Sequence, residues 1–429
     1  MTQSALIARF SIHQALHWAT TGLMVPVLVL LFQDRGLDLG QIGLVMAVWI
    51  GSTTLLELPL GGVADQVGRR KTYLCSLLVT AFGVTALLFS ASFISIVFSA
   101  ALLGAARAIY SGTLDAWFYD AYALTCGATS YHSALAKVNV WVTLGLAIGS
   151  LIGGYLPNIA SDSMPWLASR FDVNLWLILI ASVCMVGVTL WLIPEAQQRR
   201  DRSGKRATHC LFMTIRHALR DVMSHQVLRR VMQTILVFGM VLSGVENLWQ
   251  PYLSQLLADD DQGTGWFGVI AALYFAMAAL SSWFSVTFLA WFAGSHRNVL
   301  LVSRLCSAFA LLVMAMSSNV VGFTISYLVF FFLFTLGENS QTVLIQDNTP
   351  SRYRSTMLSL SSLTVTAGGM MASLLLGYVA QHHGIAVSWT GVAIVLILSS
   401  LLFARLPRHQ NGSFGSRTLA NVAKKLPDQ

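Results

Sequence analysis

Long apolar segments recur along the whole chain, and they limit its possible folds more than any other feature. A helix needs about 20 mainly apolar residues to cross the hydrocarbon core of a bilayer. Twelve segments of that order can be drawn, at 10–33, 40–64, 72–92, 94–117, 134–157, 173–194, 229–257, 265–292, 298–317, 319–345, 355–380 and 385–406. The sequence therefore predicts an all-α polytopic membrane protein with twelve transmembrane helices.

The charged residues predict the orientation of such a protein. Only 10% of the residues are charged, and most of the basic residues behind the net charge of +8 lie between the apolar segments or near their ends. Cytoplasmic loops carry an excess of Lys and Arg. With the amino terminus inside, only Arg35 and Arg170 fall outside. The cations that then lie on the cytoplasmic side are Arg9, Arg69, Arg70, Lys71, Lys137, the nine cations of 195–230, Arg297, Arg352, Arg354 and the tail cations. We therefore expect both termini in the cytoplasm and no nucleic acid partner.

The two halves of the sequence repeat each other. At an offset of 225, Leu23, Pro26, Leu28, Leu31 and Gly43 correspond to Leu248, Pro251, Leu253, Leu256 and Gly268. At an offset of 223, Val142, Thr143, Gly145, Ser150, Leu151, Gly154 and Tyr155 correspond to Val365, Thr366, Gly368, Ser373, Leu374, Gly377 and Tyr378. Matches in the same direction predict two pseudo-symmetric six-helix bundles with a substrate path between them.

The repeat divides the chain into four parts. Residues 1–194 are predicted to form the N-terminal bundle and residues 229–406 the C-terminal bundle. Residues 195–228 are predicted to be a cytoplasmic linker whose second part has the apolar spacing of an amphipathic helix on the inner leaflet. A solvated linker is the alternative. Residues 407–429 are polar and are predicted to form a disordered cytoplasmic tail.

A short run between the second and third segments fixes glycine, acid and base positions together. Its pattern is Gly-x-x-x-Asp-x-x-Gly-Arg-Arg-Lys, formed by Gly61, Asp65, Gly68, Arg69, Arg70 and Lys71. This pattern resembles the signature between the second and third transmembrane helices of the major facilitator superfamily. A simple topology signal would explain the three cations but would leave Asp65 and Gly68 without a role.

The resemblance implies a cytoplasmic gate. In the superfamily, the matching aspartate and arginine hold the cytoplasmic side closed, with helix eleven as the dipole partner of the aspartate. Here Asp65 would face the start of helix eleven near Ser355, because a carboxylate interacts favourably with a helix amino terminus. Arg69 would pair with an acid at the inner end of helix four, either Asp115 or Asp120.

Small residues recur along helix five. They are Gly145, Gly149, Ser150, Gly153 and Gly154. The pattern resembles the glycine-rich helix-five motif of proton-coupled exporters, although Ser150 stands where those proteins have a proline. Close packing between helix backbones is the alternative explanation.

Four carboxylates fall inside the apolar segments: Glu57, Asp115, Glu246 and Glu338. Ionisable groups in the membrane are costly and are functional candidates by default. Asp115 corresponds to Glu338 at the offset of 223, whereas Glu246 corresponds to Thr21 at the offset of 225. We expect Glu246, near the middle of helix seven, to carry a coupling proton, and the other three acids are the further candidates.

Structural roles are the alternatives for these acids. Arg107 and Arg304 are the cations with which they could pair, and Glu57 and Asp115 could instead belong to the inner gate. Arg107 lies one residue further from Gly112 than the family's helix-four pattern would place it, so substrate binding and charge pairing both stay open for it.

His13 and His17 share one face of helix one because they are four residues apart. That face is either a proton relay or a polar surface at the cytoplasmic end, and His17 is a further candidate for substrate binding or charge pairing.

No metal site or cofactor is expected. The five cysteines are scattered, and His382 and His383 have no partners at metal-ligand spacing. The chain also lacks a Gly-x-x-x-x-Gly-Lys-Ser/Thr loop, which argues against an intrinsic ATPase. We therefore do not expect an enzyme.

Two segments, Glu57 to Asp65 and Ser111 to Asp120, look like the bacterial drug:proton antiporter-like branch of the superfamily. The resemblance implies a monomer in the bacterial inner membrane that exports an amphipathic small molecule in exchange for protons by alternating access. One alternative is proton-coupled uptake, or efflux of an endogenous metabolite such as a siderophore. Another is a membrane sensor or scaffold that does not transport, although the intact acids on cavity helices argue against it.

Overall fold

The computed structural model of the protein describes residues 2–125, 127, 129–159, 167–194, 225–257, 263–349 and 354–405. This described part contains sixteen α-helices, one short 3-10 turn and no β-strand. Eleven of its helical segments are long and apolar enough to cross a membrane. The prediction of an all-α polytopic membrane protein is therefore confirmed.

The sixteen helices are assigned here to twelve spans. They are α1 (Gln3–Gly22) and α2 (Leu28–Asp34) in span 1, α3 (Leu39–Val67) in span 2, α4 (Arg69–Leu88) in span 3, α5 (Phe93–Tyr110) and α6 (Thr113–Ala123) in span 4, α7 (Tyr131–Tyr155) in span 5, α8 (Asp172–Leu192) in span 6, α9 (Gln226–Glu246) and α10 (Trp249–Leu257) in span 7, α11 (Gly265–Trp291) in span 8, α12 (His296–Ala315) in span 9, α13 (Val320–Leu336) and α14 (Glu338–Asp347) in span 10, α15 (Arg354–His383) in span 11, and α16 (Ile385–Ala404) in span 12.

Several helices begin at a side chain that caps the first turn. Ser92, Ser130, Ser295 and Asn319 each accept a hydrogen bond from the backbone N–H three residues later, at the starts of α5, α7, α12 and α13. Such caps satisfy N–H groups that have no partner inside the helix. They fix where these spans begin, because an uncapped N–H is costly at the edge of a bilayer.

Spans 1, 4, 7 and 10 are each interrupted by a short break between two helices. Span 1 breaks before α2 at residues 23–27, which include Pro26, and it is the predicted segment that the eleven apolar helices leave out. Span 7 breaks just before Pro251, the repeat equivalent of Pro26. Proline removes a backbone donor and disfavours the regular helix before it. Gly112, at φ +67°, interrupts span 4, and Gly337 interrupts span 10.

The two sides of the bundle are defined by the helix ends. The terminal side carries the start of α1, Gly68 and the end of α16, where Arg297 donates from Nη2 to the Ala404 carbonyl at 2.7 Å. The distal side carries Arg35, whose Nη2 lies 2.7 Å from Asp172 Oδ1. One of the two cations predicted outside is therefore neutralised by an acid.

Spans 1 and 5 pack backbone to backbone, as do spans 7 and 11. A Cβ added to Gly145 or Gly149 would meet the carbonyl of Ala15 or Ala19, one turn apart on α1. Gly368, the repeat equivalent of Gly145, packs in the same way against Leu236 of α9. Small residues at these positions let the helix axes approach closely.

The halves meet on the distal side through two equivalent glycine contacts. A Cβ on Gly268 would lie 3.0 Å from the Cα of Gly154, and a Cβ on Gly377 would lie 3.1 Å from the Cα of Gly43. These four residues are exchanged by the sequence repeat. Spans 5 and 8, and spans 2 and 11, therefore form two matching seams between the halves.

Hydrogen bonds reinforce the distal seams. Gln250 donates from Nε2 to the carbonyl of Val25 at 3.0 Å, and these two positions are themselves repeat equivalents. The Leu39 N–H donates to Oε1 of Gln381 at 3.0 Å. The Val25 carbonyl lies in the break of span 1, so the opposite half satisfies a group that the broken helix leaves open. The protein is thus closed on its distal side.

Two predicted boundaries concern residues near the middle and end of the chain. Helix α9 begins at Gln226, so residues 226–228 belong to the first helix of the second half and not to the linker. Of the predicted linker at 195–228, residues 195–224 lie outside the described residues, as does the whole predicted tail at 407–429.

Candidate functional site

A cavity of about 430 Å³ lies between the two halves. It is lined from the first half by spans 1, 2 and 4 and from the second half by spans 7, 8, 10 and 11. Its wall includes Trp49, Arg107, Glu246, Tyr274 and Tyr327. We call it the central cavity, and its size is in the range of sites that hold drug-sized ligands.

Glu246 is the last residue of α9 and lies at the break of span 7. The hydroxyl of Tyr274 donates to its Oε1 at 3.1 Å. The other charged or titratable side chains described in the wall of the central cavity are Arg107 and Tyr327. The break therefore presents a carboxyl group to the cavity, and a tyrosine from span 8 orients it.

Arg107 lies in the last turn of α5 and borders three adjoining cavities. No other residue that the structure describes borders all three. Within the described part of the chain its guanidinium group makes no hydrogen bond and no ion pair. The guanidinium group cannot lose its charge at physiological pH. Arg107 therefore places a permanent positive charge in the space between the halves, and the pairing alternative from the sequence is not realised there.

The three other acids lie elsewhere. Asp115, in the first turn of α6, lines a separate cavity of about 280 Å³ that also touches Arg107. The Ser111 hydroxyl donates to Oε1 of Glu57 at 2.5 Å, which ties span 2 to the break of span 4. Glu338 is exposed at the start of α14 and does not line the central cavity.

Arg304 is buried in span 9 and does not form the ion pair considered from the sequence. Its guanidinium carbon lies 4.5 Å from the ring centres of Phe238 and Phe334. Its Nη1 donates to the Phe334 carbonyl at 2.6 Å, next to the interruption of span 10. Cation–π contacts and a carbonyl acceptor thus stabilise this charge, and Arg304 acts as a structural residue in the second half.

Both histidines of span 1 lie inside the first half, where each contacts a hydroxyl group. His13 is fully buried, and its Nε2 lies 3.0 Å from the Thr189 hydroxyl. The Nδ1 of His17 lies 3.0 Å from the Tyr73 hydroxyl, and its ring stacks on Tyr110 with centroids 4.1 Å apart. His17 is part of an aromatic cluster and borders a cavity.

The signature run is helical and not a loop. Helix α3 continues to Val67, α4 begins at Arg69, and Gly68 alone separates them, at φ +112°. The side chains of residues 61–66, including Asp65, lie outside the described part. A backbone with positive φ favours glycine, which explains why a glycine occupies position 68.

The cations of the run reach the ends of spans 4 and 6. Arg69 Nη1 lies 2.7 Å from Asp120 Oδ2, so Asp120 and not Asp115 is the acid that Arg69 meets. Arg70 donates from Nη1 to the Ile193 carbonyl at 3.3 Å. Lys71 is exposed. The run therefore joins the helix ends of the first half on the terminal side.

The helix-five motif packs α7 against its neighbours. Gly145, Gly149 and Gly153 face span 1, and the Ser150 hydroxyl donates to the Gly22 carbonyl at 3.3 Å. Gly154 instead faces Gly268 of the other half. The motif thus serves both the packing within the first half and the distal seam.

Sequence reasoning missed the partners of the central acid. Tyr274 lies in an apolar run of span 8, where nothing in the sequence separates it from lipid-facing aromatics. Asn247 and Gln250 also line the central cavity and follow Glu246 closely. A polar cluster beside a proline in a transmembrane segment was the signal that could have identified them. No cluster of potential metal ligands occurs among the described residues.

An all-helical bundle of two repeated halves around a central cavity, with polar groups at helix breaks, is the architecture of a secondary transporter. Residues 10–352 match the family described as Major Facilitator Superfamily. The chain belongs to this family, and it is therefore a multi-pass membrane protein of a transporter family.

Relatives and solved structures agree with this assignment. The MFS-type transporter YxaM of Bacillus subtilis (strain 168) is 21% identical over 92% of this chain and 94% of its own length. The MFS-type transporter YcaD of Escherichia coli O17:K52:H18 is 28% identical over 40% of each chain.

Among solved structures, the nucleoside transporter NupG has a TM-score of 0.75 at 15% identity, over 94% of this chain and 100% of that one. A bacterial homolog to the human lysosomal transporter Spinster, in an inward-facing and unoccupied conformation, has a TM-score of 0.71 at 14% identity, over 94% and 96% of the two chains. These similarities establish the fold and leave the substrate open.

Proposed function

We propose that the protein is a proton-coupled secondary active transporter that exports an amphipathic small organic molecule by alternating access. The observation that carries the proposal is that Arg107 of the first half and Glu246 of the second half line one cavity, which is closed on the distal side. Transporters with repeated halves bind substrate and coupling ion at such an interface.

Glu246 is the proposed proton carrier. It accepts a hydrogen bond from Tyr274, and no cation of the described residues lies within ion-pair distance of it. An ionised, unpaired carboxylate is costly in a closed cavity within the membrane. Glu246 would therefore hold a proton while the cavity is closed and exchange it when one side opens. Glu338, Asp115 and Glu57 remain the further candidates.

The terminal side carries the proposed gate. The Arg69–Asp120 pair fixes the start of α4 against the end of span 4. Asp65, at the end of α3, is proposed to interact with the amino terminus of α15 when the terminal side closes. Both termini are proposed to be cytoplasmic, in the inner membrane of a bacterium, with the protein as a monomer.

Export is proposed from the resemblance of spans 2 and 4 to drug:proton antiporter-like proteins. Proton-coupled uptake is a second candidate, and the presence of one basic and one acidic side chain, Arg107 and Glu246, in the wall of the central cavity favours it. A proton on Glu246 would leave Arg107 as the only charge in the described wall, so that proton and a negatively charged substrate would enter together.

Transport by inverted membrane vesicles tests the proposal. Anionic, cationic and neutral amphipathic compounds are offered with a proton gradient and again after a protonophore has collapsed it. We expect at least one compound to accumulate in a gradient-dependent way. The variant Asp347→Asn, which neutralises an exposed acid at the end of α14, is the control and should behave as wild type.

The direction of transport is determined by comparing vesicles of the two orientations. Accumulation in inverted vesicles supports export, and accumulation only in right-side-out vesicles supports uptake. If no compound moves faster than in vesicles without the protein, the proposal fails in favour of a sensor or scaffold that does not transport.

A further inference from the structure

A second cavity lies inside the first half and adjoins the central cavity. Its volume is about 160 Å³, and its wall is mainly apolar and aromatic, with a few hydroxyl groups, His17 and Arg107. We call it the aromatic pocket, and it is lined by His17, Trp18, Trp49 and Tyr110 among others. Leu28, Trp49 and Arg107 line both the pocket and the central cavity, so the two spaces share a boundary at these residues.

The rings of the aromatic pocket are held in place by contacts behind them. Trp18 meets His17 edge to face at 5.6 Å, and the Tyr110 hydroxyl donates to Oε1 of Gln14 at 3.0 Å. His17 is anchored to Tyr73 as described above. The polar atoms of Tyr110 and His17 that make these bonds are thereby engaged with the scaffold. The pocket consequently offers fixed ring surfaces, which suit a planar apolar group.

Arg107 lies where the aromatic pocket meets the central cavity. Its guanidinium group has no hydrogen-bond or ion-pair partner among the described residues and is exposed to this space between the halves, and a charged group at membrane depth is a candidate ligand-binding group. The second half does not supply an opposite charge at the repeat-equivalent position, because that position is Phe330. Glu246 is the acid among the described residues of the central cavity wall, and it accepts a hydrogen bond from Tyr274. A bound anion would supply the missing partner.

We propose that the substrate is an amphipathic organic anion, with its anionic group bound by Arg107 and its planar apolar body in the aromatic pocket. The inference rests on the proposed transport function and is independent of its direction. A guanidinium group binds a carboxylate through two parallel hydrogen bonds. The adjoining volumes of about 160 and 430 Å³ leave room for a body larger than one aromatic ring.

Three probes that share one naphthalene ring test the inference with the purified full-length protein in lipid nanodiscs. They are 1-naphthoate, the neutral 1-naphthamide and the cationic 1-naphthylmethylammonium, and their dissociation constants are measured by titration calorimetry. A charged hydrogen bond adds enough affinity that naphthoate should bind about tenfold or more tightly than the other two. Equal affinities for naphthoate and naphthamide, or tightest binding of the cation, would overturn the inference without any variant being needed.

Variants then locate the site. Arg107→Gln should remove the preference for naphthoate over naphthamide, and Arg107→Lys should retain part of it. Trp18→Leu should weaken both probes by a similar factor, because it alters the pocket and leaves the charge. Lys137→Gln removes a positive charge from an exposed position of α7 and should change nothing. If Arg107→Gln keeps the full preference, the anion binds elsewhere and the inference is wrong.

The binding measurement is separate from transport. Lost probe discrimination together with gradient-driven movement of another compound would overturn the anion inference and leave the proposed function standing. Intact, Arg107-dependent discrimination without any transport would contradict the proposed function and leave the binding site standing.

Discussion

The distal seam makes a quantitative prediction about alternating access. In Gly268→Ala, the new Cβ would lie 2.7 Å from the Ser150 carbonyl oxygen and 3.0 Å from the Cα of Gly154, whereas ordinary contacts are 3.4–4 Å. The neighbours are backbone atoms of the other half, so the seam cannot adapt by a side-chain rotation. The two halves must separate on the distal side to accommodate one methyl group.

The size of the effect follows from the cost of overpacking. Forcing an extra carbon into a packed interface costs about 1–3 kcal/mol. Applied only to the distal-closed state, that cost shifts the balance toward the distal-open state by about 5- to 150-fold. The shift should be visible as greater access to the central cavity from the distal side.

Thiol labelling measures this access. Val25 lines the central cavity, and only its backbone carbonyl takes part in the distal hydrogen bond, so Val25→Cys keeps that bond. The reporter is placed in a protein in which serine replaces Cys75, Cys126, Cys184, Cys210 and Cys306. A membrane-impermeant reagent added to the distal side should label the Gly268→Ala protein at least fivefold faster than its parent.

A matched glycine supplies the control. An added Cβ at Gly187 of α8 meets nothing within 4 Å. Gly187→Ala therefore has the same change in helix propensity as Gly268→Ala but no clash. Unchanged labelling in Gly268→Ala, or an equal increase in Gly187→Ala, would refute the conclusion that this seam closes the distal side.

Two further predictions concern the terminal side. Topology reporters fused after Arg206 and after Gln429 should both report the cytoplasm, and one fused near Ser161 should report the outside, because cations concentrate in alternate loops. Opposite signals from the first two reporters would contradict the twelve-span topology. Asp65→Asn should leave expression and folding intact but slow transport several-fold, since a lost charge–dipole contact of about 1 kcal/mol shifts the gate equilibrium by that factor. Unchanged transport rates would indicate that the run from Gly61 to Lys71 determines topology and does not act as a gate.

The fold was predictable where a pattern extends over many residues. Apolar length predicted the spans, and the repeat predicted which residues are equivalent. Gly43, Gly154, Gly268 and Gly377 illustrate this, because the sequence matched them in pairs and the structure places them in two equivalent seams. The breaks in spans 1, 4, 7 and 10 were not predicted. Hydropathy averages over about 20 residues and does not register a short interruption inside an apolar run.

The candidate site was predictable only in part. Charge in an apolar segment is conspicuous, so Glu246 and Arg107 could be selected from the sequence. The contacts that position these two side chains in the cavity are made between segments that are distant in sequence. Tyr274 is 28 residues from Glu246 along the chain and comes from another span. The choice between Asp115 and Asp120 as the partner of Arg69 likewise depended on helix rotation, which spacing alone did not fix.

The central claim is that Glu246 carries the proton that drives transport. The most direct measurement compares wild type and Glu246→Gln in proteoliposomes, recording accumulation driven by a proton gradient beside substrate exchange at equal pH on both sides. Glutamine keeps the size of the side chain and an acceptor for Tyr274 but cannot bind and release a proton. We expect gradient-driven accumulation to be lost and exchange to be kept. A Glu246→Gln protein that still concentrates substrate against its gradient would contradict the claim. The proton carrier would then have to be sought among Glu338, Asp115 and Glu57.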